Sequence, residues 1–167
     1  MKKIAIVGAT LALAVAAGAA SAANSMASGT LGLNVPVVST SDPLISGKYF
    51  VGKDMAIIGG FGFSSGGTSG NSVTTFAIEA GMRKYMNTND FAPFVGGVFD
   101  YTSTSGTPST TTMGLGVEGG AEYFLAKQFS IEGKVGFGYK SNDTGNSATK
   151  TTAFGTSRAT LSVNYYF

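Results

Sequence analysis

The sequence predicts an all-β fold: an eight-stranded antiparallel up-and-down transmembrane β-barrel behind a cleaved N-terminal signal peptide. Apolar and polar residues alternate over eight segments, which is the period of strands with two unlike faces. Gly makes up 25 of the 167 residues, a composition that disfavours helices. The last strand ends on Phe167, as expected where a terminal aromatic ring lies at a membrane interface.

The N-terminus has the three parts of a secretory signal peptide. A pair of lysines precedes the apolar run Ile4–Val15, which small residues follow up to Ala22. We expect cleavage after Ala22, so that residues 1–22 form the signal peptide and residues 23–167 form one barrel domain. An uncleaved helical anchor is the alternative, and it is disfavoured because the apolar run is short and interrupted by glycine and threonine.

Residue types and charge exclude several functions. The sequence has no Cys and no His, which removes thiol chemistry, the commonest general base and the commonest metal ligand. Without the two lysines of the signal peptide, the remaining basic residues equal the nine acidic ones in number. No run of Lys and Arg is left to bind nucleic acid. We therefore expect no cofactor, no bound metal and no nucleic-acid partner.

The alternating segments define eight strands, joined in turn by short turns and longer polar loops. One face of each strand is apolar and aromatic, and the other carries mainly Gly, Ser and Thr. The expected strands are residues 30–37, 44–51, 55–65, 73–86, 91–102, 112–125, 129–140 and 154–167. Short turns on one side and long loops on the other are typical of outer-membrane barrels, where they are periplasmic and extracellular respectively.

Alternation alone does not tell which face is outside, because a soluble lipocalin-like barrel turns its apolar face inward. The few charges on the polar face, the aromatics near strand ends and the terminal Phe167 favour lipid on the apolar face. The predicted interface aromatics are Tyr49, Tyr101, Tyr123 and Tyr139. A basic residue facing lipid at mid-depth costs about 2–4 kcal/mol, so the charges must face the lumen. The predicted lumen charge network is Glu79, Asp100, Glu118, Glu122, Glu132, Lys134 and Arg158.

The pairing of the sixth and seventh strands has two allowed registers. In one, Glu118 lies opposite Lys134; in the other, Glu122 lies opposite Glu132, which is a like-charge contact. We predict the first register for this reason.

The side on which Tyr85 lies is ambiguous. Counting from Glu79 places it inside the barrel, whereas a weak repeat that also contains Tyr49 and Tyr123 places it outside. A β-bulge near Arg83–Lys84 would reconcile the two, and we predict one there.

Several motifs resemble those of a known family. They are Gly120–Phe124 with Phe129–Glu132, Phe91–Gly96 and the closing Leu161–Phe167. Over about residues 28–167 the sequence resembles the small Gram-negative outer-membrane barrel proteins of OmpA/OmpX type, in the broad porin family. This resemblance implies the cell outer membrane as location and the barrel-assembly machinery as a partner. The assembly signal it implies is read from Leu161, Val163, Tyr165 and Phe167.

For function, the sequence favours a structural or surface-interaction barrel without catalytic activity. No nucleophile motif such as G-x-S-x-G occurs. The carboxylates Glu118, Glu122 and Glu132 could belong to an acidic active site, but a salt-bridge network with Lys134 and Arg158 is favoured.

Two other functions remain open. A narrow channel or small-molecule conduit is suggested by small side chains on the lumen face, namely Gly114, Gly116, Gly136 and Gly138. An adhesin or surface-shielding protein would act through the Ser/Thr/Gly/Asn loops. The expected partners are outer-membrane lipid, the assembly machinery and extracellular ligands of the loops, with the barrel as a monomer.

Overall fold

Eight antiparallel strands close into one barrel in the computed structural model, which describes residues 25–39, 44–68, 71–145 and 150–167. The strands are β1 Leu31–Ser39, β2 Ile45–Phe50, β3 Met55–Thr68, β4 Asn71–Tyr85, β5 Phe91–Ser105, β6 Thr110–Ala126, β7 Phe129–Thr144 and β8 Lys150–Tyr166. Each strand pairs with the next, and β8 pairs with β1. The predicted fold class is confirmed. The predicted signal peptide lies outside the described residues, among which no helix is long and apolar enough to cross a bilayer.

The outer surface of the barrel is apolar and its interior is polar. Outward-facing Phe63, Leu115 and Phe154 are 67–74% exposed, whereas the inward-facing Lys48 and Glu122 are at most 1% exposed. Soluble monomers rarely expose a continuous apolar surface of this kind, because water penalises it. The outer surface therefore suits a hydrocarbon environment, and the lumen takes the place of a core.

The two ends of the barrel differ in their connections. At the turn end, residues 51–54, 86–90 and 127–128 join the strands. At the opposite hairpin end, Ser/Thr-rich segments that were predicted as loops continue as strands. β3 and β4 pair as far as Thr68 and Asn71, and Thr75 and Thr104 hydroxyls lie 3.2 Å apart across β4 and β5. Threonine is β-branched and pairs well across strands, so these tracts extend the sheet.

The bulge predicted near Arg83–Lys84 is absent, and this prediction is wrong. Both neighbours of β4 pair regularly through this region, as in the pairs Ala56 with Arg83 and Tyr85 with Phe94. An uninterrupted strand keeps its period of two, so Tyr85 faces the lumen and is 1% exposed. The weak repeat that Tyr85 shares with Tyr49 and Tyr123 therefore does not predict the side of the barrel on which Tyr85 lies. The register instead shifts once in each of β1, β6 and β8, at Val37, Leu125 and Ser157 respectively.

Candidate functional site

The polar lumen is the candidate functional site, and the Glu122 carboxylate is its most heavily bonded group. Glu122 projects from β6 and is fully buried. It accepts hydrogen bonds from five side chains on β2, β4, β7 and β8, namely Lys48, Tyr85, Ser130, Asn164 and Tyr166. The Lys48 Nζ lies 2.8 Å and the Tyr85 hydroxyl 2.9 Å from the Glu122 Oε2. These donors replace the water that a buried carboxylate would otherwise require.

The register between β6 and β7 places Glu122 directly opposite Glu132, so the predicted pairing of Glu118 with Lys134 is wrong. The like charges are compensated by Lys48, whose Nζ lies 2.8 Å from a carboxylate oxygen of each. Lys48 reaches them from β2 across the lumen. The pairing of one hairpin does not reveal this partner, because in a narrow barrel side chains from the far wall are within reach.

A second group of ion pairs continues from Glu132 along the lumen. Arg83 on β4 donates to Glu132 at 2.7 Å and to Glu118 at 2.6 Å. Lys134 then lies 3.2 Å from the other oxygen of Glu118. Glu118 and Lys134 thus form an ion pair, although each lies opposite a glycine in the register.

The network ends toward the hairpin end at Arg158. Its guanidinium pairs with Glu79 and, at 3.0 Å, with Asp100. Lys134 connects this group to the previous one through a 3.8 Å contact with Glu79. All seven charged residues that the sequence places in the lumen therefore lie there, and the structure joins them with Lys48 and Arg83 into one continuous network.

Aromatic side chains close the lumen at the turn end. The aromatic plug comprises Phe50, Tyr85, Phe94, Phe124 and Tyr166, with neighbouring ring centroids 5.5–6.0 Å apart. Met26 packs against the plug from the segment before β1, and Ser25 donates a hydrogen bond to the Lys127 carbonyl. The two tyrosine hydroxyls point at Glu122, so the plug and the ion network are one unit.

The lumen glycines do not leave an open path. A Cβ atom on Gly116 would come within 2.8 Å of the Phe137 carbonyl oxygen, and one on Gly114 would overlap the Asp100 carboxylate. Gly136 and Gly138 are crowded in the same way. These glycines allow close packing of backbone and side chains. The cavity beside Glu79, Lys134 and Arg158 has a volume of about 20 Å³, which is room for one water molecule.

The residues predicted as interface aromatics and as the assembly signal lie on the outer surface of the barrel. Tyr49, Tyr123 and Tyr139 are about half exposed on the outer surface, and Tyr101 is partly covered there. The residues of the implied assembly signal, Leu161, Val163, Tyr165 and Phe167, also face outward.

At the turn end, Lys84 donates a hydrogen bond to Asp54, which lowers the pKa of that carboxyl group.

Sequence reasoning missed Lys48, Arg83, Tyr85 and Tyr166 as members of the network. A signal for Arg83 was present, since it lies four residues after Glu79 and thus on the same face of β4. The membrane cost of an outward charge applies equally to Lys48, in the middle of β2. Counting from Glu79 placed Tyr85 inside the barrel, but nothing in the pattern indicated that the hydroxyls of Tyr85 and Tyr166 would bind Glu122.

Replacing Tyr85 with phenylalanine removes one of the five donors to Glu122. We expect the free energy of unfolding to fall by about 1.5 kcal/mol, the value of a hydrogen bond to a buried charge. Tyr49→Phe is the matched control, because Tyr49 faces outward and is 46% exposed. Urea unfolding of the two variants in the same detergent checks this, and equal stabilities would contradict the inward role of the Tyr85 hydroxyl.

Among the residues described, no group of three or more acidic side chains is arranged to hold a metal ion.

No protein-family model matches the sequence, and no curated protein matches it. The structure is similar to neisserial surface protein A (NspA), with a TM-score of 0.51 and 16% identity over 83% of this chain and 94% of that one. It is also similar to the N-terminal β-barrel domain of Pseudomonas aeruginosa OprF, with a TM-score of 0.50 and 13% identity over 84% of this chain and 98% of that one. The chain therefore has the fold of the small eight-stranded outer-membrane β-barrel proteins, as its sequence resemblance implied.

Proposed function

We propose that the protein is a structural and surface-interaction barrel of the Gram-negative outer membrane, without catalytic activity. One observation carries the proposal: a buried ion network and an aromatic plug fill the lumen behind an apolar outer wall. The filled lumen leaves the outer surface and the hairpin end as the parts that can meet other molecules. The barrel thus serves as an anchored scaffold for its hairpin end.

The same observation disfavours the channel alternative. A path through the barrel would have to separate ion pairs whose side chains are at most 8% exposed, such as Arg83 with Glu132 and Lys134 with Glu118. Leaving one partner of a buried ion pair uncompensated costs about 3–5 kcal/mol. The aromatic plug would also have to move at the turn end.

Location and assembly complete the proposal. The apolar outer surface would contact outer-membrane lipid, with the turn end periplasmic and the hairpin end extracellular. Export would depend on the signal peptide, residues 1–22. Insertion would depend on the barrel-assembly machinery recognising the outward side chains of β8. The barrel would act as a monomer, because its strands already close on one another.

Conductance tests the proposal directly. Purified mature protein reconstituted into planar lipid bilayers is expected to give no single-channel events, because the lumen is filled. A water-filled porin added to the same bilayers serves as the positive control. Reproducible single-channel steps from the purified barrel would overturn the structural assignment and favour the conduit.

A further inference from the structure

A large groove lies on the outer wall of the barrel, where it crosses β4, β5, β6 and β7. Its volume is about 800 Å³. Gly97 and Gly119 form its floor, and a Cβ atom on Gly97 would meet nothing within 4 Å. Val95, Val117 and Phe137 rise beside the floor and are 47–63% exposed. The apolar wall thus has a slot, called the wall groove below, where two neighbouring strands lack a side chain.

Lys84 borders the wall groove on the side of the turn end. It is the last outward-facing residue of β4 and lies beside Met55 and Val95 in the register. The only other charged side chains on the outer surface of the described strands are Asp143 and Lys150, which lie opposite each other at the hairpin end. A lysine facing lipid is tolerated near the headgroups but not at mid-depth. This end of the wall groove therefore lies at headgroup level.

The Lys84 ammonium has capacity for an anionic partner. It has three N–H donors, and among the described residues its side chain bonds only to Asp54. These two side chains are 54% and 42% exposed, and ion pairs between exposed groups contribute little. In the turns at this end, Lys53 and Lys127 are equal in number to Asp54 and Asp90. Lys84 therefore leaves the described side chains of this rim with a net positive charge.

We propose that the wall groove binds an anionic phospholipid, with one acyl chain over Gly97 and Gly119 and the headgroup phosphate on Lys84. Lysine binds phosphate as a compact point charge. A zwitterionic headgroup carries its own cation beside the phosphate, whereas an anionic headgroup leaves its negative charge to Lys84. The site therefore prefers the anionic lipid. The inference rests on the proposed function, which places the outer wall in the membrane and the turn end in the periplasm, so the lipid belongs to the periplasmic leaflet.

The width of the wall groove favours a hydrocarbon chain over a second barrel. Successive side chains on one face of a strand are about 7 Å apart. A slot left by one missing side chain on each of two strands admits an acyl chain, whereas the broad wall of another barrel would rest on the flanking Val117 and Phe137. The exposed Lys84 would also lie against the apolar wall of that barrel, where its charge is disfavoured.

A second groove on the same wall provides an internal comparison. It has a volume of about 430 Å³ and lies beyond Val135, over Gly133 and beside Leu161. Lys134 borders it only from the lumen side, so no outward charge lies on its rim. This groove can hold an acyl chain but has no group that selects a headgroup.

Native mass spectrometry of the mature protein, released from a neutral detergent, measures which lipids it retains. The probes are phosphatidylglycerol and phosphatidylcholine with identical acyl chains, added in equal amounts. The barrel is expected to retain phosphatidylglycerol about five-fold more, the preference that one lysine near an anionic headgroup supplies. Glycerol phosphate, which has the charge but no chains, is expected not to be retained. Equal retention of the two lipids, or retention of glycerol phosphate at the level of phosphatidylglycerol, would overturn the inference.

Lys84→Met tests the headgroup contact. The variant is expected to retain the two lipids equally, because the phosphate loses its cation. Lys127→Met is the matched control, since Lys127 is an exposed lysine at the same end of the barrel but does not border the wall groove. It is expected to keep the preference for phosphatidylglycerol. A preference that survives Lys84→Met, or that falls equally in both variants, would contradict the proposal.

Gly97→Val tests the position of the acyl chain, because its side chain fills the wall groove. Gly133→Val fills the second groove and is the matched control. Both substitutions place the Cβ atom in open space, and valine suits a strand, so both variants are expected to fold. Gly97→Val is expected to retain less than half as much phosphatidylglycerol as Gly133→Val. Equal retention by the two variants would contradict the placement of the chain over Gly97.

The conductance of the same preparation separates this inference from the proposed function. A barrel that conducts and still prefers phosphatidylglycerol contradicts the structural assignment and supports the lipid site. A closed barrel that retains both lipids equally does the reverse.

Discussion

Replacing Lys48 with methionine is expected to lower the free energy of unfolding by about 3–5 kcal/mol, the cost of leaving a buried charge without its partner. Lys48 is 1% exposed, and its Nζ lies between the carboxylates of Glu122 and Glu132, which face each other in the register. Glu132 keeps Arg83 as a partner in the variant. Glu122 keeps only hydrogen bonds from uncharged groups, so its charge is uncompensated.

The loss can be measured as the shift in urea midpoint of the folded band on unboiled gels. Lys84→Met is the matched control, because Lys84 is an exposed lysine paired with Asp54 at the turn end and is expected to matter little. Adding Glu122→Gln to Lys48→Met is expected to restore more than half of the loss by removing the unpaired charge. A Lys48→Met barrel as stable as the unmodified one would contradict the account of the lumen.

Gly120→Ala is expected to destabilise the barrel by about 3 kcal/mol and to reduce the yield of folded protein. Gly120 faces the lumen on β6, where a Cβ atom would overlap the Gly133 carbonyl oxygen. The same atom would lie 2.9 Å from the Cα of Lys134 and 2.9 Å from the ring of Phe94. Backbone atoms of a paired strand have little freedom to move, so this overpacking falls at the upper end of its usual range.

Gly119→Ala is the control for this substitution. Gly119 is the neighbouring residue on β6 and faces outward, where an added Cβ atom has only one contact, at 3.9 Å. Its folded yield and urea midpoint are expected to match those of the unmodified protein. Equal behaviour of the two alanine variants would show that β6 and β7 approach less closely than the structure places them.

The fold could be predicted from the sequence because a membrane barrel obeys a simple rule. Each spanning strand must alternate between lipid and lumen, so a period of two predicts the strands and the facing of their side chains. Glu118, Glu132 and Arg158 could be placed in the lumen in this way. Their charges would cost too much free energy on the lipid-facing side of the strands.

The contacts inside the lumen were less predictable. Glu122 lies opposite Glu132, which the sequence argued against. The pairing is tolerated because Lys48, on the opposite wall, forms an ion pair with both carboxylates. A rule for neighbouring strands cannot supply that information, since contacts across the lumen depend on how far each strand is shifted along the barrel. For the same reason, the hydrogen bond from the Tyr85 hydroxyl on β4 to Glu122 on β6 could not be predicted.

The extent of the hairpin end was also underestimated. Ser, Thr and Gly tracts such as residues 103–111 have the composition of loops, yet Ser103 to Ser105 continue β5. A loop-like composition does not prevent strand formation where a neighbouring strand offers backbone hydrogen bonds. Here each strand continues past the apolar band because it stays paired with its neighbour. The shortness of the β1–β2 hairpin relative to the other six strands becomes visible only through this extension.

The lipid-facing position of the apolar outer wall is tested most directly by the migration of the protein from an outer-membrane fraction on SDS gels with and without boiling. A closed barrel with a lipid-facing outer wall resists SDS when unboiled, so we expect two bands of different mobility in that fraction. A single band independent of boiling, from protein found in the soluble periplasmic fraction, would contradict the assignment of the apolar face to lipid.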